Sequence, residues 1–338
     1  MRSGKRVGVL MGGLSSERDL SLLSGDAVHD ALSESGHEVV RIFVDTDLDV
    51  ALRSERVDVA FLALHGRYGS DGCVQGLLEL LGIPYTGPSL LGAALATDKV
   101  KTKELLRLHN LPTPSSYVHR IGHGSSTTQH GNFGFPIVVK PRAEGSSLGV
   151  RRVDAVDDLD AAIDDAASFD EHILVERFVR GCEVHVAVMN GEAIGLAEVA
   201  PEGPIFDFQA RRGRGMTTVF SPPRLSAERQ RGVIALAERA ARALECDGLA
   251  EVDVIVSDLG NEQIIEVDGL PALRPDSMMG RIARSNGISF VELCDRVLAG
   301  ARLHAPDRRR GALCDRRRPL SFGNALDGHE RRVDAGPH

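Results

Sequence analysis

GLAEVDVIVSDLGNEQIIEVDG, from Gly248 to Gly269, is the stretch of sequence that decides the fold. Apolar and polar residues alternate in AEVDVIV and again in QIIEVD. The break between the two runs, DLGN from Asp258 to Asn261, has the composition of a tight turn. The stretch therefore predicts a β-hairpin.

Four carboxylates follow this alternation. A turn centred on the break places Glu251 opposite Asp268 and Asp253 opposite Glu266, all on one face of the hairpin. Like charges directly opposite one another destabilise a sheet, so the pattern predicts a cation among them. Oxygen ligands at this density favour Mg²⁺ or Mn²⁺, and Mg²⁺ held by one or two carboxylates usually also holds nucleotide phosphates. The alternative is a solvated acidic hairpin without a ligand.

The composition is that of a globular protein with two or three subdomains. The chain has 338 residues, of which 42% are hydrophobic and 26% charged. Its five cysteines are scattered and form no Cys-x-x-Cys pair, which fits a reduced, cytoplasmic protein without a zinc site. No apolar run approaches the roughly 20 residues of a membrane span, and the N-terminus does not have the pattern of a signal peptide. We therefore expect no membrane partner.

Charge is distributed unevenly along the chain. The net charge is -8, and this acidic balance argues against non-specific nucleic-acid binding. From Arg302 onward, nine arginines face five acidic residues. This basic tail has the composition to touch RNA or acidic lipid, but we expect a disordered extension.

The N-terminal segment has the pattern of an α/β unit. A strand over Arg6–Met11 runs through a glycine turn into a helix that ends near Ser35. GGLSSE is not the GxGxxG of a dinucleotide site. Glu17, at the head of the helix, is either a cap or a ligand for a substrate ammonium. Two more strands extend a parallel layer, and the second leads into His65, which is either a ligand-binding residue or a buried, hydrogen-bonded histidine.

A second group of polar residues follows a strand that ends at Lys140. The next segment, RAEGSSLGV, is a small Gly/Ser loop that can fold over phosphates, with Lys140 as a point charge. A plain hairpin loop is the alternative. Further on, Glu176 and Glu183 lie at the two ends of a short connection between strands, placed either to bind a nucleoside or on the surface. The irregular segment from Gly203 to Pro222 is arginine-rich and predicts a lid.

The order of these parts resembles the ATP-grasp superfamily and, within it, the D-alanine-D-alanine ligase family. The resemblance runs from about Arg6 to Arg302 and is carried by GGLSSERDLSLLSG, ALHGRYGSDGCVQGLLELLGIPYTG, TDKVKTKELL, VVKPRAEGSSLGV, ILVERFVRGCEV and IIEVD. It implies an α/β (α+β) chain with an ATP-grasp fold. The implied subdomains are an N-terminal Rossmann-like one (1–98), a central lid subdomain (99–182) and a C-terminal catalytic one (183–304), before the basic tail (305–338). A homodimer through the N-terminal subdomain is also implied.

The resemblance also implies a role for each site residue. ATP would be bound by Lys99, Lys140, Ser147, Glu176, Val179, Glu183 and Arg211. Two Mg²⁺ or Mn²⁺ ions would be held by Asp253, Glu266 and Asp268. Glu17, His65 and Ser277 would bind the substrates, and Glu17 and Ser146 would serve catalysis. Arg274, which departs from the family pattern, is a further catalytic candidate.

The implied chemistry is ADP-forming ligation of two small molecules, one of them an amino acid. The γ-phosphoryl group of ATP passes to a carboxylate, and an amine attacks the resulting acyl phosphate to form a C–N bond. Metal ions, lysines and lid arginines would offset the developing charge.

Several positions depart from the family pattern. Position 251 is Glu where these ligases have an oxyanion-stabilising arginine, and the loss of one such donor costs about 2.7 to 4 kcal/mol. Position 268 is Asp instead of Asn, and Ala272 replaces a glycine. In the lid, Arg212 falls where the ligases have a tyrosine. Arg274 either replaces the lost cation or pairs with Glu251.

These departures leave two alternatives to D-alanyl-D-alanine synthesis. One is a specialised biosynthetic paralogue that condenses an amino acid with another acceptor, for example a mycosporine-type cyclohexenone. The other is an ATP-binding regulator without catalytic activity.

Overall fold

A computed structural model describes residues 4–122, 130, 133–203 and 217–305. The elements given below belong to one compact unit, Met1–His304. Of the predicted lid segment from Gly203 to Pro222, the arginines at 211–214 lie outside the described residues, as does the predicted disordered tail beyond residue 305. The prediction of an irregular segment is wrong at its end, where Thr217–Phe220 form a strand. Within the described part of the chain, no helix is long and apolar enough to cross a membrane.

The N-terminal layer is a three-stranded parallel sheet in the order β2-β1-β3. All four side chains of β3 are buried, as expected for a parallel sheet covered on both faces. The predicted strand, glycine turn and helix are confirmed. The elements of this layer are β1 (Arg6–Gly12), α1 (Arg18–Glu34), β2 (Glu38–Val44), α2 (Leu48–Ser54), β3 (Val59–Leu62), α3 (Cys73–Leu81) and α4 (Leu90–Thr97).

A four-stranded antiparallel sheet follows, in the order β4-β7-β5-β6. Its apolar face packs on one helix, with Ile137, Val139 and Ile163 in the shared core. The Gly/Ser loop connects β5 to β6 as predicted. The elements are α5 (Lys99–Leu108), β4 (Ser116–Arg120), β5 (Ile137–Pro141), β6 (Arg151–Val153), a 3₁₀ turn (Val156–Asp158), α6 (Leu159–Ala167) and β7 (His172–Arg177).

The third sheet has five antiparallel strands in the order β10-β9-β8-β11-β12. The helix Ala227–Ala243 (α7) buries its apolar stripe of Val233, Ala237 and Ala240 against this sheet. The elements are β8 (Gly181–Met189), β9 (Glu192–Pro201), β10 (Thr217–Phe220), α7 (Ala227–Ala243), β11 (Leu249–Ser257), β12 (Glu262–Asp268), α8 (Met278–Ser285) and α9 (Phe290–Ala299).

The hairpin β11–β12 has the predicted pairing, but a β-bulge produces it. Next to the turn, Val256 pairs with Glu262, and this register alone would place Ile265 opposite Asp253. The register shifts after Val254, so that Asp253 faces Glu266 and Glu251 faces Asp268. Without this extra residue in β12, Glu266 would point to the opposite face of the sheet.

The predicted subdomain limits remain predictions, but the elements suggest a refinement of one limit. Because β8 begins at Gly181, a limit at 182 would fall inside a strand. The connection 178–180, between β7 and β8, is the natural place for it.

Candidate active site

The three sheets meet at one cavity. Its lining takes residues from the head of α1, the end of β3, the Gly/Ser loop and the hairpin β11–β12. Among them are Glu17, His65, Lys99, Glu144, Gly145, Ser146, Glu251, Asp253, Glu266, Asp268 and Ala272. Most of the residues predicted to bind substrate or metal therefore share one space.

Glu17 is held by the Gly/Ser loop and does not cap its helix. It precedes α1 but makes no side-chain capping hydrogen bond. Its buried carboxylate instead accepts a hydrogen bond from the hydroxyl of Ser146. The backbone of the loop also lies close to Glu17, since a Cβ added at the neighbouring Gly145 would lie 2.6 Å from a carboxylate oxygen of Glu17. Of the two sequence-based alternatives for Glu17, the cap is therefore not seen, and its role as a ligand stays a prediction.

His65 is a buried, hydrogen-bonded histidine on the wall of the same cavity. Its Nδ1 donates to the carbonyl oxygen of Leu270 at 3.0 Å, which leaves Nε2 to accept from the hydroxyl of Ser24 at 3.3 Å. Burial lowers the pKa of His65, and the nearby charge of Glu17 only partly offsets this. His65 is therefore a neutral ring whose orientation is fixed by its two partners.

Lys99 connects two parts of the site. Its buried ammonium lies 2.7 Å from Glu266 on β12 and donates to the carbonyl oxygen of Glu144 in the Gly/Ser loop at 2.6 Å. Burial favours the neutral amine, but the charge of Glu266 outweighs it and raises the pKa of Lys99. Burial likewise opposes ionisation of Glu266, yet Lys99 and Lys140 lower its pKa overall. Both groups are charged.

A second buried ion cluster joins α5 to the four-stranded sheet. Glu176 lies 2.8 Å from Lys140 and 3.0 Å from Lys103, and the three side chains are only 2 to 4% exposed. Lys103 also donates to the hydroxyl of Thr113 at 2.7 Å. Despite burial, the two lysines lower the pKa of Glu176. Burial lowers the pKa of Lys103 to about 8, although the charge of Glu176 opposes this shift. Two buried lysines thus share one carboxylate.

His185 on β8 lies behind the acidic hairpin and contacts three carboxylates. Its Nδ1 is 2.6 Å from Glu251 and 2.7 Å from Asp253, and its Nε2 is 3.1 Å from Glu183. The side chain is fully buried. Burial favours the neutral ring, but Asp253 and the hydrogen bonds to Glu183 and Glu251 raise the pKa of His185 well above its ordinary value. His185 is therefore an imidazolium that offsets much of the negative charge of the hairpin.

Asp268 is a further carboxylate of this acidic patch, and its ionised form is disfavoured. Its carboxylate faces the cavity, where surrounding protein atoms, then Glu251, raise its pKa to about 7. The N–H of Leu270 donates to it at 2.9 Å and partly opposes the shift. A carboxylate in this environment is stabilised by an added cation.

Arg274 and Ser277 lie outside the cavity lining, as do all the described residues predicted to bind ATP except Lys99. Arg274 pairs with Asp276 at 3.0 Å, so neither of the two roles suggested for it is seen: Glu251 contacts His185 instead. Ser277 caps α8 by accepting from the N–H of Gly280 at 3.4 Å, and it donates to the carbonyl of Arg274 at 2.9 Å. This capping turn draws Arg274 away from the hairpin.

The remaining predicted residues concern the nucleotide. Val179 lies half-buried in the connection 178–180, and Glu183 is on β8 beside His185. Ser146 and Ser147 both have positive φ angles, of 52° and 56°, in the Gly/Ser loop. Arg211 lies outside the described residues.

Sequence reasoning missed His185 and Lys103. The alternation in EVHVAV places His185 on the same face of β8 as Glu183, but only the pairing of β8 with β11 brings it to Glu251 and Asp253. Lys103 follows Lys99 by four residues in α5, so the helical repeat places both on one face.

Glu183, His185 and Asp253 also have the donor types and spacing of a metal site. Their ligand atoms lie within 4.8 Å of one another. Because both ring nitrogens of His185 contact carboxylates, a protonated His185 explains this cluster without a metal ion.

Comparisons with known proteins identify the class of protein. Residues 118–299 match the family described as "D-ala D-ala ligase C-terminus", and residues 48–88 match "D-ala D-ala ligase N-terminus". A D-alanine–D-alanine ligase of Anaeromyxobacter dehalogenans is 45% identical over 304 residues, covering 90% of this chain and 99% of its own. The ligase of Geobacter sulfurreducens is 43% identical over 299 residues, covering 88% and 94%.

Solved structures agree. The D-alanine–D-alanine ligase of Bacillus anthracis complexed with ATP has a TM-score of 0.78 at 30% identity, covering 88% of this chain and 97% of its own. The VanG D-Ala:D-Ser ligase of Enterococcus faecalis has a TM-score of 0.76 at 26% identity, covering 88% and 99%. The fold is thus that of an ATP-grasp enzyme, and the relatives are ATP-dependent ligases. The chain belongs to the D-alanine–D-alanine ligase family.

Proposed function

We propose that this ligase joins two amino acids, with D-alanine as its first substrate, by phosphorylating a carboxylate with ATP and forming a C–N bond. The observation that carries the proposal is the convergence of three groups on one cavity. Glu17 accepts a hydrogen bond from Ser146 of the Gly/Ser loop, and Lys99 connects that loop to Glu266. The carboxylates of the hairpin line the same cavity. The curated relatives at 43 to 45% identity are D-alanine–D-alanine ligases.

The donor set fits divalent metal ions. Asp253, Glu266 and Asp268 offer oxygen ligands at one end of the cavity, and the raised pKa of Asp268 marks carboxylate charge that an added cation would stabilise. We propose that these three residues hold two ions, Mg²⁺ or Mn²⁺. When bound, such ions offset charge repulsion between ATP phosphates and an anionic acceptor.

Other residues of the chain would bind the amino acids and the nucleotide. Glu17 would accept hydrogen bonds from the ammonium of the first amino acid, while neutral His65 beside it adds no competing charge. Lys99 and Lys140 would neutralise phosphate oxygens, with Ser147 and Arg211 also on the nucleotide. Glu176, Val179 and Glu183 would bind the nucleoside, and Ser277 would bind the second substrate after a rearrangement of its capping turn.

A second candidate concerns the identity of the acceptor, and one observation favours it. At Glu251 the cavity presents a carboxylate whose cation, His185, lies fully buried behind it. Arg274 is paired with Asp276. The acceptor end therefore lacks the donor that the family places there, which favours a specialised paralogue with a different second substrate. The D-Ala:D-Ser ligase relative is an example of acceptor variation among similar folds.

The decisive test is phosphate release from Mg-ATP with D-alanine, compared with a panel of D- and L-amino acids and paired acceptors. Saturable release with D-alanine alone, with the dipeptide as product, would support the first candidate. Release that requires another pair would establish the specialised paralogue. ATP binding without amino-acid-dependent release would instead identify a regulator. A homodimer and a cytoplasmic location stay predictions from the sequence.

A further inference from the structure

The buried cluster of Lys103, Glu176 and Lys140 contains more positive than negative charge. Both ammonium groups lie within 3.0 Å of the same carboxylate, and none of the three side chains is more than 4% exposed. Burying an unmatched charge is costly unless a counter-charge is supplied. The excess cation therefore points to an anionic ligand that arrives from outside the cluster.

Of the two lysines, Lys140 is the one near the cavity. It is the last residue but one of β5, and the Gly/Ser loop that follows this strand lines the cavity. Lys103 lies on the other side of Glu176 and is held there by the hydroxyl of Thr113 at 2.7 Å. An anion in the cavity can therefore attract Lys140 but not Lys103.

We propose that Lys103 is a positioning residue that keeps Glu176 paired, so that Lys140 is free to exchange its carboxylate partner for a phosphate of the nucleotide. While Lys103 is present, Glu176 retains a cation when Lys140 turns toward phosphate. Without Lys103, the transfer of Lys140 would leave Glu176 as a buried, unpaired carboxylate. Lys140 would then stay on Glu176, and the phosphates would lose a donor. This inference rests on the proposed roles of Lys140 and Glu176 in ATP binding.

The positions of the lysines on α5 support a separate role for Lys103. Lys99 and Lys103 are one helical turn apart on the same face, and each contacts a different carboxylate, Glu266 or Glu176. Lys101, on the same helix, is half exposed and pairs with Glu104 at 2.7 Å. Lys101 is therefore a matched control for the loss of one lysine from this helix.

The test compares the dissociation constants of Mg-ATP and adenosine by calorimetry in the full chain. In Lys103→Met, Glu176 keeps Lys140 and stays in place, so adenosine affinity should change less than about twofold. ATP affinity should fall roughly tenfold or more, the loss expected for one hydrogen bond between charged groups. Lys101→Met should leave both affinities unchanged, and Lys103→Arg, which keeps the charge, should restore most of the ATP affinity.

The outcomes separate this inference from the proposed function. If Lys103→Met weakens ATP and adenosine by the same factor, or neither of them, Lys103 has only a structural role and the inference is wrong. Should that variant fail to fold, Lys103→Gln, which keeps a donor for Glu176 but no charge, must show the same selective loss of ATP affinity. An unaltered protein that binds no ATP at all would overturn the proposed function together with this inference.

Discussion

Replacement of His185 by leucine should destabilise the protein by removing the cation behind the acidic hairpin. His185 is fully buried, and Glu251 and Asp253 lie within 2.7 Å of its Nδ1. At an effective dielectric constant of about 20, unit charges about 4 Å apart interact by roughly 4 kcal/mol. Breaking a buried ion pair by removing one partner costs about 3 to 5 kcal/mol. Because both carboxylates are 11% exposed and water can reach them through the cavity, we expect the lower end, about 3 kcal/mol.

Urea unfolding of His185→Leu measures this loss directly, with His109→Leu, an exposed position after α5, as the control. The double variant His185→Leu/Glu251→Leu should recover part of the stability, since it removes one of the carboxylates left without a cation. A loss below about 1 kcal/mol in the single variant, or a double variant no more stable than the single, would refute the role of His185 as the counter-charge.

Three further predictions concern other parts of the site. Ser146→Ala removes the hydroxyl that donates to Glu17. It should lower kcat/KM for amino-acid-dependent phosphate release about 10- to 100-fold with little change in stability. Ser16→Ala, which removes an exposed hydrogen bond to Glu144, is the control, and equal effects of the two variants on kcat/KM would contradict the role of Ser146. Burial raises the pKa of Asp98, but Arg142 and the N–H groups of α5 outweigh burial and lower this pKa below its ordinary value of 3.8. The ionised carboxylate therefore stabilises the folded state above pH 3.8, and this stabilisation is lost as pH falls through the folded-state pKa. Asp98→Asn should therefore cost about 1 to 2 kcal/mol at pH 7 and progressively less below pH 4 in urea unfolding, and a difference independent of pH would argue against this account. Chelation of divalent metal should abolish phosphate release, and Mg²⁺ or Mn²⁺ should restore it; release that persists in excess chelator would exclude the proposed metal role of Asp253, Glu266 and Asp268.

The hairpin shows how far alternation in a sequence predicts structure. The pattern correctly indicated two strands, a turn and four carboxylates on one face. The alternation alone does not reveal the extra residue in β12, although this bulge, between the pairs of Val254 and Asp253, brings Glu266 opposite Asp253. Bulges depend on the balance between turn geometry and packing, which a period-two pattern does not record.

The counter-charge of Glu251 shows the limit of reasoning from nearby positions. Arg274 is close to the hairpin in sequence, but the cap formed by Ser277 and the pair with Asp276 direct it elsewhere. His185 is 66 residues from Glu251 and reaches it only because β8 is hydrogen-bonded to β11. Long-range strand pairing of this kind is set by the whole sheet. The place of Glu17 at the head of α1, in contrast, was predicted correctly from the local pattern of strand, glycine turn and helix. The roles of Glu17 and Lys99 stay predictions.

The measurement that tests the central claim most directly follows an oxygen atom. If the first substrate is activated as an acyl phosphate, one oxygen of its carboxylate becomes the bridge to phosphorus and leaves with phosphate when the amine attacks. We predict that D-alanine labelled with ¹⁸O in its carboxylate, or whichever amino acid drives turnover, yields inorganic phosphate carrying one ¹⁸O, as read by mass spectrometry. Phosphate without the label would mean that water or an oxygen of the second substrate accepts the phosphoryl group, and it would contradict the assignment of this cavity to activation of an amino-acid carboxylate.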